Sequence, residues 1–326
     1  MQPRVSIIIL NYNGSDKVIN CLESLRVQTN SDFEILIVDN GSKIENFDKL
    51  KTNIMKYNQH LSISLFRLNK NLYFGPGNNK AIKKAKGEYI CLLNYDTIVE
   101  PNFIEKMVEF LDTHLDAGMI TPKIKIYDNQ NILWNTGAFL DFKSGIVIAN
   151  RGYLEYDPKN EKYNEVEEIG FAPGTAMFLR REVIEKVGLI DEIFLMYHED
   201  PDWNLRAQKA GFKSYYVPTT TIYHDIPRIF SSEKTLFKQH FLTRNSQILV
   251  WKHAKIFEIL IFYYFFLIMN ISMILMNFFA GKISRVKLNL RSIWQGFRIG
   301  IRRRTNRSCK KFLVDDYKFS QRIQGF

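Results

Sequence analysis

Short apolar runs and amphipathic segments alternate along the first third of the chain. Val5–Leu10, broken only by Ser6, and Ile35–Val38 are apolar throughout, which is typical of strands that are buried on both faces. Ile63–Leu68 is a third strand candidate with a weaker pattern, and Tyr89–Leu93 is a fourth. The pattern therefore predicts a set of buried strands in this part of the chain.

Helical patterns fill the intervals between these strands. Ser15 or Asp16 can cap a helix whose apolar residues Val18, Leu22 and Leu25 share one face. Two more helices are predicted, over Asn78–Lys86 with Gly87 ending it, and from Pro101 to about Leu111. Strand–helix alternation of this kind favours a largely parallel sheet with helices on both faces.

Three polar sequences follow the predicted strands, namely Asn11–Gly14, Asp39–Ser42 and Asn94–Asp96. In a parallel sheet the ligand binds beyond the carboxyl ends of the strands, where these three sequences would meet. Their placement is the first indication of a functional site, and it depends on the pattern alone.

The second third of the chain is less regular, and we make no assignment for residues 121–170. The later elements are predicted as a strand over Ala176–Leu179, a helix over Arg181–Val187 ended by Gly188, a helix from Pro201 to Ala210, and a short strand over Tyr215–Val217. His224 is then expected in a loop after that last strand.

The C-terminal third differs in composition from the rest. Residues 231–326 contain 18 Lys or Arg and four Asp or Glu, whereas residues 1–230 contain 27 and 30. A nucleic-acid-binding front domain would carry a basic face, so the acidic excess there argues against nucleic acid as a partner. The composition therefore predicts a front domain over 1–230, followed by a basic helical region over 231–326.

Ile259–Ala280 is a run of 22 residues in which only Asn270, Ser272 and Asn277 are strongly polar. A membrane-spanning helix needs about 20 mostly apolar residues. The cations that follow are interspersed with apolar residues, as in a basic amphipathic helix on an anionic leaflet. We predict membrane attachment, by a helix that spans or lies in the interface; the alternative is a buried helical hairpin of a soluble protein.

Cysteine usage and the N-terminus bear on the compartment. Cys21, Cys91 and Cys309 form no CxxC pair, so neither a zinc cluster nor a disulfide framework is indicated, and Cys21 and Cys91 are expected in the core. The apolar run near the N-terminus is too short for a signal peptide. We expect the catalytic part on the cytoplasmic side of the cell membrane.

Two residues suit a hard divalent metal such as Mg²⁺ or Mn²⁺. Asp96 follows a strand end and offers oxygen ligands, and His224 offers an imidazole that Mn²⁺ tolerates. The structural alternatives are a turn or helix-cap role for Asp96 and a packing role for His224.

An unusual acidic cluster, Glu199-Asp200-Pro201-Asp202, precedes Trp203. Carboxylates this close raise at least one pKa, which suits a general base. Acids at a helix N-terminus also cap free N–H groups, and that interpretation accounts for one or two of the three.

The motifs, taken in order, resemble the family 2 inverting glycosyltransferases of the GT-A fold, near the subgroup of rhamnosyl- and galactofuranosyltransferases. The resemblance covers roughly residues 4–230, and it implies a catalytic domain over 1–230 with a nucleotide-binding half 1–115 and an acceptor-side half 116–230. It depends on VSIIILNYNG, VDNGS, NKNLYFGPGNNKAIKKAKGEYICLLNYDTIV, APGTAMFLRREVIEKVGLIDE and HEDPDWNLRAQKAGF, with His224 last. No single motif is specific, but their order and spacing are.

The resemblance implies a role for each matching position. Asp200 would be the general base with Glu199 beside it, while Asp96 and His224 would bind the metal. The donor would be a nucleotide-sugar. The residues expected around the donor are Asn11, Tyr12, Asp39, Gly75, Gly77, Asn79, Asn94 and Gly174, with Gly75–Asn79 forming a Gly-rich loop.

This chain departs from the family pattern in the metal motif. Asn94 replaces the first carboxylate of Asp-x-Asp, so Asp96 must carry most of the metal's charge, and Tyr95 stands where proline is common. We thus expect transfer of a sugar onto a hydroxyl of a glycan or lipid-linked acceptor. The rival hypotheses are a nucleotidyltransferase, whose Gly-rich basic loop after the first strand is missing here, and a non-catalytic membrane scaffold.

Overall fold

The computed structural model describes residues 2–143, 147–226, 232–305, 308–309 and 311–316. The strands are β1 Val5–Asn11, β2 Phe33–Asp39, β3 Ile63–Arg67, β4 Tyr89–Asn94, β5 Thr97–Val99, β6 Ala117–Ile126, β7 Asn129–Asn135, β8 Ala138–Leu140, β9 Ile148–Asn150, β10 Glu167–Glu168, β11 Ala176–Arg180 and β12 Lys213–His224. The helices are α1 Ser15–Arg26, α2 Ile44–Ile54, α3 Phe74–Ile82, α4 Phe103–Thr113, α5 Arg181–Val187, α6 Glu199–Lys209, α7 Ser232–His253, α8 Ile256–Phe279 and α9 Ile283–Arg304.

Ten of the described strands form one large sheet in the order β10-β12-β6-β11-β4-β1-β2-β3, with β5 paired to β12 and β7 to β6, while β8 and β9 form a separate two-stranded sheet. Strands β1 to β4 pair in parallel, as predicted. The expectation of a mostly parallel sheet is correct only in part: β12 also pairs with β6 in parallel, whereas β11 runs antiparallel to both β4 and β6. The sheet is therefore mixed, and the alternation in the first third of the sequence did not extend to the second.

The parallel strands are buried on both faces, which explains their apolar sequences. In β1, Ile7 and Ile9 pack in one cluster with α1 and α4, whereas Ile8 packs in the other with α3 and α6. Successive side chains of a strand point to opposite faces, so both layers of helices need apolar partners from the same strand.

Several predicted boundaries change in the structure. The helix predicted from Asn78 begins at Phe74, so the expected Gly-rich loop Gly75–Asn79 lies within α3. The short strand predicted over Tyr215–Val217 is the middle of β12, which ends at His224, so His224 lies in a strand rather than a loop. Helix α2 was not predicted.

The chain forms two compact units. The first comprises residues 1–139, 150–195 and 199–226, and contains the large sheet; the second comprises 140–149, 196–198 and 227–326. The predicted boundaries at residues 115 and 230 stay a prediction.

The second unit contains α7, α8 and α9 packed side by side. Gln239 near the start of α7 contacts Met273 late in α8, and Trp251 near the end of α7 donates to the Tyr263 hydroxyl, so α8 runs antiparallel to α7. Helix α9 returns parallel to α7, with Ser292 beside His240 and Phe297 beside Trp251.

Candidate active site

The first two polar sequences are hydrogen-bonded to each other at the ends of β1 and β2. Asn11 and Asp39 are paired in register, and the Asn11 amide donates to Asp39 Oδ1 at 3.0 Å. The Ser42 N–H donates to Asp39 Oδ2 at 3.2 Å, and Arg67 Nε lies 3.7 Å from the same oxygen. The buried Asp39 carboxylate thus fixes both loops. The predicted contact of Asn11 and Asp39 with the nucleotide stays a prediction.

Tyr12 follows Asn11 and is 37% exposed, so its ring is accessible beside these loops. The ring of Tyr95 packs on the other side of the first loop, because a Cβ atom added to Gly14 would lie 2.2 Å from Tyr95 Cε2. Glycine at position 14 is therefore what allows the loop after β1 to meet the residue just before Asp96.

The two glycines of α3 permit close packing. A Cβ on Gly77 would lie 2.8 Å from Leu10 Cδ1 on β1. The Gly75 N–H donates to the Leu195 carbonyl at 3.0 Å. The Asn79 amide donates to the Ile190 carbonyl at 2.9 Å and accepts from its N–H. These residues hold the 190–195 segment against α3, and their predicted contact with the donor stays a prediction.

Asp96 and His224 meet where β5 pairs with β12. Thr97 lies opposite His224 in the register, and His224 Nε2 is 3.2 Å from Asp96 Oδ1. The Asp96 side chain is 13% exposed and the His224 side chain is 9% exposed. The edge of the Trp134 ring contacts the imidazole, at 5.3 Å between ring centroids. The resemblance predicts that both residues bind one metal, and the sheet register places their side chains next to each other.

This pair fits a hard divalent cation. Ligands in neighbouring positions of an octahedral site with 2.0–2.1 Å bonds lie about 3 Å apart, close to the observed separation. Asp96 Oδ1 is buried and makes no hydrogen bond within the described part of the chain. No group of three or more His, Cys, Asp or Glu in metal-binding geometry occurs among the described residues. Asp96 and His224 would supply two ligands to such a cation, and its other positions would be open to water or to phosphate oxygens.

A lysine missed by the sequence analysis lies next to this pair. Lys17 Nζ, on α1, lies 3.0 Å from Asp225 Oδ2 and donates to the Asp225 carbonyl at 2.7 Å. The Asp225 N–H in turn donates to the Asp96 carbonyl at 2.8 Å. A lysine in the first turn of a helix looks like a solvated residue in the sequence, so nothing there indicated that it pairs with the residue after His224.

The acidic cluster forms the first turn of α6, and its three carboxylates have different surroundings. Asp202 is paired with Arg206 one turn later, at 3.0 Å, and Arg206 also donates to the carbonyls of Val187 and Leu189. Asp202 therefore has a structural role as the partner of Arg206, which differs from the N–H capping that the sequence suggested for one or two of the acids.

Asp200 and Glu199 have perturbed pKa values. Burial raises the pKa of Asp200 to about 6, although the Gly174 N–H, which donates to Asp200 Oδ2 at 3.1 Å, opposes the rise. Burial and the Asp200 charge raise the pKa of Glu199 well above its ordinary value. Glu199 Oε2 has no hydrogen-bond partner within the described residues. The hydrogen bond from the Gly174 N–H favours the ionised form of Asp200, so Asp200 rather than Glu199 carries the negative charge of the two carboxyl groups.

Gly174 connects Asp200 to the end of β4. The next residue, Thr175, accepts a hydrogen bond from the Asn94 N–H at 2.9 Å, and Asn94 lies two positions before Asp96. A Cβ on Gly174 would lie 2.8 Å from the Phe74 ring, so position 174 is tightly packed. The structure thus brings Asp200 and the Asp96–His224 pair to the carboxyl end of the same strand.

Residues 6–188 match the Glycosyl transferase family 2 domain, which is more than half of the chain. The chain belongs to this family. It is a glycosyltransferase, and both the nucleotidyltransferase and the non-catalytic scaffold hypotheses are thereby set aside.

Three curated relatives illustrate the range of similar enzymes. An uncharacterized glycosyltransferase of Methanocaldococcus jannaschii is 25% identical over 264 residues, covering 78% of this glycosyltransferase and 82% of the relative. An amylovoran biosynthesis glycosyltransferase of Erwinia amylovora is 27% identical over 248 residues, 70% and 72% of the two chains. An N-acetylglucosaminyl-diphospho-decaprenol L-rhamnosyltransferase of Mycobacterium tuberculosis is 22% identical over 237 residues, 67% and 75%.

Solved structures share the fold of this glycosyltransferase. A mannosyltransferase from Pyrobaculum calidifontis, crystallised with GDP-mannose and Mn²⁺, superposes with a TM-score of 0.56 over 92% of this chain and 87% of that one, at 11% identity. At this identity the likeness concerns the fold alone, which is the GT-A-like α/β arrangement expected from the motifs.

Proposed function

We propose that this glycosyltransferase is a metal-dependent inverting enzyme in which Asp200 is the general base. The observation that carries the proposal is the bond from the Gly174 N–H to Asp200, which ties this carboxylate to the end of β4 beside the Asp96–His224 pair. A base with a pKa near 6 is ionised at neutral pH and still accepts a proton.

The proposed reaction is a single displacement. Asp200 takes the proton of the acceptor hydroxyl while the hydroxyl oxygen forms a bond to the anomeric carbon of the donor sugar. The bond from that carbon to the diphosphate oxygen breaks, and its electron pair leaves with the nucleoside diphosphate. Attack opposite to the leaving group inverts the anomeric configuration. Glu199, protonated beside Asp200, keeps a second negative charge away from the incoming hydroxyl.

Asp96 and His224 would hold a divalent cation. Such a cation, when bound, stabilises the charge that develops on the leaving diphosphate. Asn94 in place of a first aspartate leaves the pair with a single carboxylate, so we expect the donor phosphates to complete the site. The Mn²⁺ bound by the Pyrobaculum enzyme supports a nucleotide-sugar donor with a metal here.

The acceptor class is proposed from the named relatives. One acts in the biosynthesis of amylovoran and another transfers rhamnose to a lipid-diphosphate-linked sugar. We propose a lipid-linked or growing polysaccharide as acceptor, on the cytoplasmic side of the cell membrane, and a donor sugar of the rhamnosyl or galactofuranosyl type.

Helix α8 supports attachment to the membrane. It is long and apolar enough to cross a bilayer, and 22% of its most apolar window is buried. One stripe of large apolar side chains is exposed to solvent, formed by Leu260, Tyr264, Leu267, Ile271, Leu275 and Phe278, and the faces beside it expose Phe265, Ile268, Met269 and Met276 as well. The opposite stripe, formed by Ile259, Phe262, Phe266 and Asn270, is buried within the helical unit.

The packing of α8 favours a helix lying in the interface over a spanning one. Gln239 and Trp251 of α7 contact Met273 and Tyr263 of α8, and α9, with its arginines, packs on the same helices. A bilayer-crossing α8 would carry these polar and charged side chains into hydrocarbon, which costs several kcal/mol for each unpaired charge. With α8 in the interface, the cations of α9 face anionic headgroups instead.

A donor screen tests the proposed function. The purified full chain is incubated with UDP-, GDP- and dTDP-sugars, with Mg²⁺, Mn²⁺ or EDTA, and the released nucleoside diphosphate is measured. We expect release from one donor class, with either cation and not with EDTA. Release that is equal in EDTA would contradict the metal, and retention of anomeric configuration in the product would contradict single displacement.

A further inference from the structure

The residues just before the acidic pair have an unusual backbone. Leu195, Tyr197 and His198 all have positive φ angles, of 60°, 66° and 70°. A non-glycine residue in the left-handed region costs about 1–2 kcal/mol, and three in four positions persist only where the surroundings hold them. Something in the structure therefore stabilises this segment.

One side chain of the helical unit holds two consecutive carbonyl groups of this segment. The amide of Asn245, on α7, donates to the Met196 carbonyl at 2.9 Å and to the Tyr197 carbonyl at 2.7 Å. In an extended chain successive carbonyls point to opposite sides, so a single amide reaches both only because Tyr197 is left-handed.

The orientation of the Asn245 amide is itself fixed. Asn245 is fully buried, and its Oδ1 accepts a hydrogen bond from the Arg244 guanidinium. Arg244 is buried too and pairs with Asp316 at 2.6 Å. Burial opposes the ionisation of Asp316, but Arg244 and His240 hold its pKa below the ordinary value. With a cation on its oxygen side, the amide presents its N–H₂ group to the two carbonyls.

We propose that Asn245 is a positioning residue for the general base. His198 alone separates the two bound carbonyls from α6, whose first turn carries Glu199 and Asp200. By fixing Met196 and Tyr197, Asn245 sets where α6 begins and how the Asp200 carboxylate is aimed. The inference rests on the proposed role of Asp200. A displacement of about 1 Å at the reacting group can lower a rate a hundredfold.

The variant Asn245→Asp tests this role. It keeps the shape and the contact with Arg244, but it replaces two donors with a carboxylate oxygen that repels both carbonyls. The matched control is Asn289→Asp, since Asn289 on α9 is equally buried, accepts a long bond from Gln239 at 3.4 Å, and has an Nδ2 with no hydrogen-bond partner in the described part of the chain. Both variants place a carboxylate inside the same helical unit, so they share any general loss of stability.

Two readouts are measured on the full-length variants. With the donor identified in the screen above, we expect Asn245→Asp to lower kcat by about tenfold to a hundredfold and to leave the donor KM within about twofold. We also expect faster amide hydrogen exchange over residues 195–200 in Asn245→Asp than in Asn289→Asp at equal Tm. Asn289→Asp should keep kcat within about threefold of the parent.

Equal losses of kcat in the two variants would show a merely structural role and overturn the proposal, as would unchanged exchange over 195–200. Because exchange needs no substrate, it separates this inference from the proposed function. If the parent chain transferred sugar and Asp200→Asn did too, the base assignment would fail while the exchange result stood.

Discussion

His224 Nε2 lies 3.2 Å from Asp96 Oδ1, and the backbone pairing of β5 with β12 sets this distance. Thr97 and His224 are opposite each other in the sheet, and Asp96 lies in the turn between β4 and β5, directly before Thr97. The register therefore holds His224 on a strand, where a ligand is positioned more rigidly than on a loop, and it holds Asp96 through the residue next to it.

Removing either member of the pair should abolish the response to metal. We expect Asp96→Asn and His224→Ala to lower metal-stimulated transfer by about a hundredfold or more, because the charge on the leaving diphosphate is then less well stabilised. Asp225→Asn is the matched control, since Asp225 is bound to Lys17. Transfer is measured against Mn²⁺ and Mg²⁺ concentration, and a control as impaired as the two variants would speak against a metal role specific to the pair.

The two neighbouring carboxylates should differ sharply when each is replaced by its amide. Asp200→Asn removes the proton acceptor, and kcat should fall by about 10²- to 10⁴-fold while donor binding is kept. Glu199→Gln resembles the protonated acid already present, so we expect kcat within about tenfold of the parent. If kcat fell to a similar extent in both variants, Asp200 alone could not be the general base, and Glu199 would take part in the proton transfer.

The pH dependence of kcat should have an acid limb near pH 6. Asp200 must be ionised to accept a proton, and its pKa is about 6. Below that value kcat should fall about tenfold for each pH unit. The limb should persist in Glu199→Gln. A flat profile from pH 5 to pH 8, once the chemical step is shown to limit the rate, would contradict this assignment.

Asp200 should also cost the protein stability at neutral pH. Its pKa is raised on folding from 3.8 to about 6, so the folded state binds the proton more tightly. The corresponding stability is fully present below pH 3.8 and is lost as pH rises through 6. Asp200→Asn should therefore raise the free energy of unfolding at pH 8, by up to about 3 kcal/mol, and change it little at pH 4. Denaturant unfolding at both pH values measures this, and an Asp200→Asn variant that is less stable at pH 8 would contradict it.

Membrane binding should depend on the exposed stripe of α8. Replacing Leu267 and Ile271 with glutamate should weaken binding to phosphatidylglycerol vesicles by at least about tenfold, since each buried apolar side chain contributes about 1.5–3 kcal/mol. Met55→Glu with Leu115→Glu, two exposed apolar positions of the sheet-containing unit, is the matched control.

The same vesicles separate an interfacial helix from a spanning one. A helix in the interface should be released by an alkaline carbonate wash, and binding should weaken with salt because the cations of α9 contribute about 1 kcal/mol each. Retention after the wash would favour a spanning α8, and equal binding of the glutamate variant and its control would refute docking through this stripe.

The parallel part of the sheet was predictable because its strands carry their own signal. Val5–Leu10 and Ile35–Val38 are apolar on both faces, and both lie within strands of the structure. The length of β12 was not predictable, since Pro218–Thr221 interrupt its apolar pattern and a register shift accommodates them. The start of α3 at Phe74 was missed because its first glycines and proline suggest a loop, whereas packing against Leu10 favours small residues in a helix.

The sequence by itself determined which residue types stand at the carboxyl ends of the strands, because strands that are buried on both faces must be apolar and the polar motifs mark where those apolar runs end. It also identified α8 as an unusually apolar helix. Tertiary structure alone decided the partners: Asp96 with His224 through sheet register, Asp200 with Gly174 through an antiparallel strand, and Asp202 with Arg206 rather than with substrate. Three neighbouring carboxylates look alike in a sequence, and only burial and hydrogen bonding, which arise from distant segments, give each a different pKa and a different role.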